Sequence, residues 1–170
     1  ALTNIDEENV LLTLFAKKHS KGKLVTKINR LEFDDILAGL DLGEKTIGVA
    51  LSDLTRTVAS ATETIRKTKF TADTDHLFKL LDDREIAGLV IGLPLNMDGS
   101  EGPRCQSVRA FARNLVARRD LPVLFWDERL STVAVTRVMV DEHDLTRKRQ
   151  AAAVDKLAAA WILQGALERL

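Results

Sequence analysis

The sequence predicts an α/β fold, a mixed five-stranded sheet with helices on both faces. Three observations carry this. Residues 36–53 read as two short apolar strands joined by a tight turn. Ala87–Gly92 and Pro122–Trp126 are short continuous apolar runs, as strands buried on both faces require. Between and after these runs lie segments with a helical apolar repeat, an order that gives parallel strands with right-handed crossovers and helices on both sides. The 170 residues, 45% hydrophobic and 29% charged, suffice for one domain with a full core.

Residues 1–35 read as an N-terminal extension. Asn4 and Glu7 have the form of a capping box, and Asp6-Glu7-Glu8 precede Leu11, Leu12, Leu14 and Phe15, with Lys17 and Lys18 beyond. The polar stretch Ser20–Lys27 reads as a linker. This extension either packs on the domain at 36–170 or trails from it as a leader.

The first strand spans Ile36–Leu42, apolar at Ile36, Leu37, Leu40 and Leu42. Gly43 gives turn freedom where Glu44-Lys45 reverse the chain. Ile47, Val49 and Leu51 then alternate in an antiparallel partner, and Val58–Thr64 supplies a third strand. Ala72–Leu81 has a helical repeat through Leu77, Leu80 and Leu81, and Ala87–Gly92 is the fourth strand. Pro94–Pro103 is a loop by its Pro, Gly and Asn content. Val108, Phe111, Ala112 and Leu115 mark a helix face ending at Arg118-Arg119-Asp120, and Pro122–Trp126 is the fifth strand. Ser131-Thr132 cap a helix through Val135, Val138 and Met139, and Arg147-Lys148-Arg149 lead into a closing helix over about Gln150–Arg169. Strands one, four and five are expected parallel.

Composition excludes several classes. A formal net charge of +0 gives no bulk electrostatic attraction to nucleic acid, so such a role must rest on local basic clusters. A single cysteine, Cys105, rules out an internal disulfide framework and a cysteine-based zinc site. His19, His76 and His143 lack metal-ligand spacing. With neither a secretory signal nor an apolar run long enough to span a bilayer, the expected location is the cytoplasm, without membrane contact.

One carboxylate stands out. Asp41 sits inside an apolar strand, where a charge is costly unless it is paired or binds a metal. In open α/β sheets ligands collect at the carboxyl ends of parallel strands. Asp41 lies late in strand one, Glu128 just past strand five, and Asp155 early in the closing helix, near the small residues Ala151, Ala158 and Ala159 that permit close helix–sheet approach. Three converging carboxylates repel unless they share a cation, and hard oxygen donors suit Mg²⁺ or Mn²⁺ rather than zinc. Two such ions can activate a water and stabilise the leaving oxygen of a phosphodiester. Spacing alone leaves alternatives: Glu128 paired with Arg129 or Arg137, and Asp155 with Arg147, Lys148 or Arg149.

Four ordered motifs point to one family. Gly39-Leu40-Asp41-Leu42-Gly43-Glu44-Lys45-Thr46 through Asp53 resembles the first motif of the YqgF/RuvX family. Gly92-Leu93-Pro94-Leu95-Asn96-Met97-Asp98-Gly99-Ser100-Glu101-Gly102 resembles its second, Asp127-Glu128-Arg129-Leu130-Ser131-Thr132 its third, and Asp155 with Ala158-Ala159 and Ile162-Leu163-Gln164 its closing helix. The resemblance covers about residues 36–170. It implies an RNase H-like fold and a divalent-metal nuclease of the 16S ribosomal RNA precursor, in a family also described as Holliday-junction-resolvase-like. Asp41, Glu128 and Asp155 carry over as the catalytic, metal-binding acids, with Mg²⁺ or Mn²⁺ as cofactor. Two departures stand out: Lys45 is followed by Thr46 where the family often has arginine, and the strand beside Asp41 ends in Gly92-Leu93-Pro94 without an acid. Glu128 must then serve from one strand further away, with Asp98 and Asp127 as alternatives.

Lys45, Asn96, Arg104, Arg109, Arg129 and Lys148 are the expected substrate contacts, since phosphate contacts position a nucleic acid without reading sequence. Arg109 and Arg113, four apart, share a helix face. Cys105 reads as a packed residue, and Trp126 and Trp161 as core. The expected partner is nucleic acid, either precursor rRNA or branched DNA, bound by a monomer or a homodimer. A non-catalytic binding module is the rival class. A sugar-kinase or ATPase relative ranks last, for want of phosphate and adenosine loops.

Overall fold

A computed structural model describes residues 36–130 and 147–170; at residue 130 and over 147–156 it describes the backbone alone. The expectations for residues 1–35 and for the helix from Ser131 to Met139 lie outside the described residues.

Five strands form one sheet in the order β3-β2-β1-β4-β5, made of β1 (Ile36–Leu42), β2 (Thr46–Ser52), β3 (Ala59–Arg66), β4 (Ile86–Leu93) and β5 (Val123–Asp127). β2 is antiparallel to β1 and β3, while β1, β4 and β5 are parallel. This is the mixed sheet expected. Helices α1 (Phe70–Asp82) and α2 (Pro103–Arg118) cross over between the parallel strands, and α3 (Arg147–Leu167) closes the chain.

Alternation along β1 divides two cores. Ala38, Leu40 and Leu42 face α1 and α2, packing with Leu77, Leu81, Val108, Ala112, Leu115 and Phe125. Leu37 lies on the other face with Val90, Leu124 and Trp126, beneath Ala159, Ile162, Leu163 and Ala166 of α3. Asp41 shares the parity of Leu37 and so belongs to the α3 face. Gly39 fixes the approach of α3, because a Cβ there would lie 2.7 Å from Leu163 Cβ and 2.8 Å from the Ala159 carbonyl oxygen. Gln164 accepts from the Ala59 amide at 2.9 Å and donates to the Thr57 carbonyl at 3.0 Å, at the end of the sheet where β1 begins. Hence α3 runs antiparallel to β1, with its earlier turns toward the carboxyl end of that strand.

Most boundaries shift by one to three residues from expectation, two of them for clear physical reasons. β3 continues past Thr64, since Ile65 is buried and pairs with Ile47, and Arg66 pairs with Thr46. The closing helix begins at Arg147, so the basic triplet forms its first turn; arginine and lysine are good helix formers, which outweighs their unfavourable position in the helix dipole. Arg118 and Arg119 bridge the two crossover helices through Asp75 at 2.5 Å and Asp82 at 2.7 Å. Among the described residues no helix is long and apolar enough to cross a membrane.

Candidate active site

The carboxyl ends of β1, β4 and β5 converge on one rim. The parallel register pairs Leu40 with Ile91, which sets the next residues, Asp41 and Gly92, side by side. Asp41 is partly buried. Gly92 has no side chain, and the volume above it is filled from β5: a Cβ at Gly92 would lie 2.5 Å from Glu128 Oε1 and 2.6 Å from Ile162 Cδ1. Glu128 therefore reaches across β4 toward Asp41. Burial pushes its carboxyl up to about 7, and the neighbouring charge of Asp41 adds to this, while Arg104 opposes it.

A short clamp sets this geometry. The β4–β5 ladder ends at the Leu93–Asp127 pair, after which the chain turns through one 3-10 turn, Glu128–Leu130. Asp127 is buried and accepts from the Arg129 amide at 3.0 Å, from Arg129 Nε at 3.0 and 3.1 Å and from Nη2 at 2.7 Å. Arg129 Nη1 also donates to the Met97 carbonyl at 3.2 Å, tying the loop after β4 to the turn after β5. Asp127 is thus committed to Arg129. Asp98 accepts from the Ser100 amide at 2.9 Å and hydroxyl at 2.6 Å, bonds that hold its carboxyl below the usual range on an exposed turn. Of the three acids weighed for the second position, Glu128 is the one facing Asp41.

Asp155 lies in α3, one helical turn before Ala159, on the stretch that runs toward the carboxyl end of β1. Its side chain lies outside the described residues, as does that of Lys148. Among the described residues no three histidine, cysteine, aspartate or glutamate side chains cluster with metal-site geometry. The pair that is present, two oxygen donors in a half-buried site with mutual repulsion, suits a hard divalent cation, whose charge would relieve that repulsion.

The expected phosphate contacts divide into two groups. Arg104, in the first turn of α2, is exposed and acts electrostatically on both Glu128 and Lys67. Lys45 is exposed at the tip of the β1–β2 turn. Arg109, by contrast, donates through Nε to Glu101 at 2.8 Å, pairs with it again through Nη2, and lies 4.9 Å over the Phe125 ring. Arg129 is held by Asp127, and Asn96 Nδ2 donates to Ser100 Oγ at 2.9 Å. Cys105 is buried and donates to the Pro94 carbonyl at 3.0 Å, and burial pushes its thiol up, the opposite of a nucleophile. Trp126 is core and Trp161 partly buried.

Lys67 was absent from the sequence reading. Its Nζ donates to the Gly43 carbonyl, its amide donates to Lys45 at 2.8 Å, and its side chain lies within electrostatic reach of Asp41. The signal was available in Ile65, which continues the strand alternation and carries β3 to the rim. A cleft of about 680 Å³ lined by Ile36, Ser52, Asp53 and Glu85 lies at the opposite end of the sheet, apart from all these residues.

Residues 35–169 match the family described as RuvX: Holliday junction resolvase. A protein of Phenylobacterium zucineum (strain HLK1), named "Putative pre-16S rRNA nuclease", is 68% identical over 135 residues, covering 79% of this chain and 86% of that protein. One of Rhodospirillum rubrum with the same name is 64% identical over 132 residues, 78% of this chain and 82% of its own length. A solved structure of T. thermophilus RuvC in complex with Holliday junction substrate aligns with TM-score 0.49 at 12% identity, over 79% of this chain and 94% of that one.

Proposed function

The chain belongs to the RuvX family, and on that footing we propose that it is a divalent-metal-dependent endonuclease that hydrolyses phosphodiester bonds, acting in 5′-end maturation of the 16S ribosomal RNA precursor. One observation supports this most: the carboxylates of Asp41 and Glu128 are brought together over Gly92 at the carboxyl end of a central strand.

Asp41, Glu128 and Asp155 are the proposed metal-holding and catalytic residues. Bound Mg²⁺ or Mn²⁺ supplies the charge that activates an attacking water and stabilises the leaving oxygen. Asp41 pairs with Gly48 of β2 and directly follows the last β1–β4 pair, Leu40 with Ile91, so its carboxylate costs little to orient. Glu128 sits ready in a poorly solvated position, where it must lose its proton to act as a ligand. Lys45, Asn96, Arg104 and Lys148 are the proposed phosphate contacts, which would position a backbone without reading sequence. Arg109 and Arg129 support the site by fixing α2 and the loop after β4. RNA cleavage needs one site, so a monomer suffices, and a ribosomal precursor places the work in the cytoplasm. A resolvase of four-way DNA junctions is the second reading, favoured by the description of the family matched over residues 35–169; it requires a dimer.

The test is purified protein with Mg²⁺ or Mn²⁺ on a precursor-rRNA 5′ leader and on a four-way DNA junction. Specific cutting of the leader, lost in Asp41→Asn with folding intact, is the expected result. Cutting of the junction alone selects the second reading. Binding of either without cutting, or cutting that survives Asp41→Asn, overturns the mechanism.

A further inference from the structure

We propose that Lys67 and Arg104 together form a seat for a backbone phosphate of the nucleic-acid substrate, on the side of the rim opposite the carboxylates; this rests on the nuclease reading above. A cation held by Asp41 and Glu128 would meet only part of the charge of an approaching backbone, so further positive charge on the same rim favours its entry.

The arginines nearby are mostly committed. Arg109 and Arg129 each hold a carboxylate partner. Arg104 instead is exposed and acts electrostatically on Glu128. It stands in the first turn of α2, directly after the loop that leaves β4. Lys67 reaches the same rim from the end of β3, anchored by its amide on Lys45 and by Nζ on the Gly43 carbonyl. A carbonyl occupies one of the three ammonium protons and leaves others to offer. The two cations act on each other, and both act on the carboxylates, Lys67 on Asp41 and Arg104 on Glu128. The two like charges repel, an arrangement relieved when an anion enters between them.

Both cations come from elements of the α1–α2 side, whereas Asp41 has α3 parity and Glu128 fills the space above Gly92 against Ile162 of α3. The rim therefore has an acidic lip and a basic lip. A strand laid along it would place one phosphate at the carboxylates and contact the cations with the same or the adjoining phosphate. Burial lowers the Lys67 ammonium from its ordinary value, in keeping with a cation that is incompletely hydrated before substrate arrives.

The experiment measures binding of a fluorescein-labelled RNA hairpin and of a labelled four-way DNA junction in EDTA, across a range of salt, with melting temperatures taken in parallel. Lys67→Gln and Arg104→Met should each weaken binding several-fold and lower the slope of log K against log salt by about one. Lys67→Arg and Arg104→Lys should restore the slope. A Lys67 that only braces the β1–β2 turn would lower the melting temperature and leave the slope at the wild-type value. Unchanged slopes in both variants, with the wild type binding in a salt-dependent way, overturn this proposal and leave the nuclease reading standing. If the wild type binds neither probe in EDTA, this proposal falls, and the cleavage assay with Mg²⁺ or Mn²⁺ decides the nuclease reading separately.

Discussion

Gly92→Ala is the most direct test of how the site is assembled. The added methyl would start 2.5 Å from Glu128 Oε1 and 2.6 Å from Ile162 Cδ1, against 3.4 Å for an ordinary contact, so each atom must retreat by about 0.9 Å. Both atoms are the far ends of flexible side chains, which keeps the overpacking cost near the low end, about 1 kcal/mol, or ~2–4 °C in melting temperature. Catalysis has no such tolerance. A carboxylate displaced by ~1 Å from its working position can cost about 100-fold in rate, ~2.7 kcal/mol in the barrier. The assay is single-turnover cleavage at saturating Mg²⁺, with thermal melting as the stability readout. Adding Ile162→Val makes room for the methyl on the α3 side, so the double variant should regain stability without regaining rate. Wild-type rate in Gly92→Ala would refute the argument that Glu128 works through the gap above this glycine. A rate restored together with stability in the double variant would refute it equally.

Glu128 gives a pH prediction. Its carboxyl is raised from 4.5 to about 7 in the fold, so between these values the folded state binds more protons than the unfolded chain, and stability falls as pH rises through that window. Metal-free protein should lose melting temperature between pH 5 and 8, Glu128→Gln should lose less, and equal slopes would contradict the assignment. Metal affinity should rise over the same window, by isothermal titration calorimetry, because the ligand must lose its proton. Arg129→Ala leaves Asp127, which is 2% exposed, with the residue-129 amide but without its guanidinium partner; it should lower stability in chemical denaturation and speed hydrogen exchange at Gly99 and Ser100 in the loop it holds. Arg109→Met should lower stability by about 1–2 kcal/mol through loss of its Glu101 pair and its contact with Phe125, with the salt slope of nucleic-acid binding unchanged.

The fold was legible because its strands obey simple patterns. Two-sided apolar runs marked β1, β4 and β5, alternation marked β2, and one aspartate inside an apolar run marked the candidate site. Partner choice was not legible. Spacing offered Glu128 a partner in Arg129 or Arg137, yet Arg129 folds back onto Asp127, two residues away, because the turn after β5 aims both side chains into the same space. Arg109 and Arg113 share a helix face by spacing, but the Glu101 carboxylate and the Phe125 ring draw Arg109 inward. A third strand that ends at Thr64 stops short of Lys67, whereas Ile65 and Arg66 extend β3 by two residues and carry it to the rim.

Gly92 and Glu128 have meaning only as a pair. Neighbouring strands lie about 4.8 Å apart, so a side chain leaving the end of β5 must cross one full strand to meet Asp41 on β1. Any side chain on β4 at that register would block the crossing, and an aspartate at the start of it would fall one methylene short. Asp127, one residue earlier, shows the alternative: shorter, at the end of the ladder, and taken by Arg129. A missing acid beside Asp41 was therefore not a defect in the site. The glycine is the opening through which the acid of the next strand reaches it, and the steric conflict a Cβ would create at Gly92 is the physical trace of that exchange.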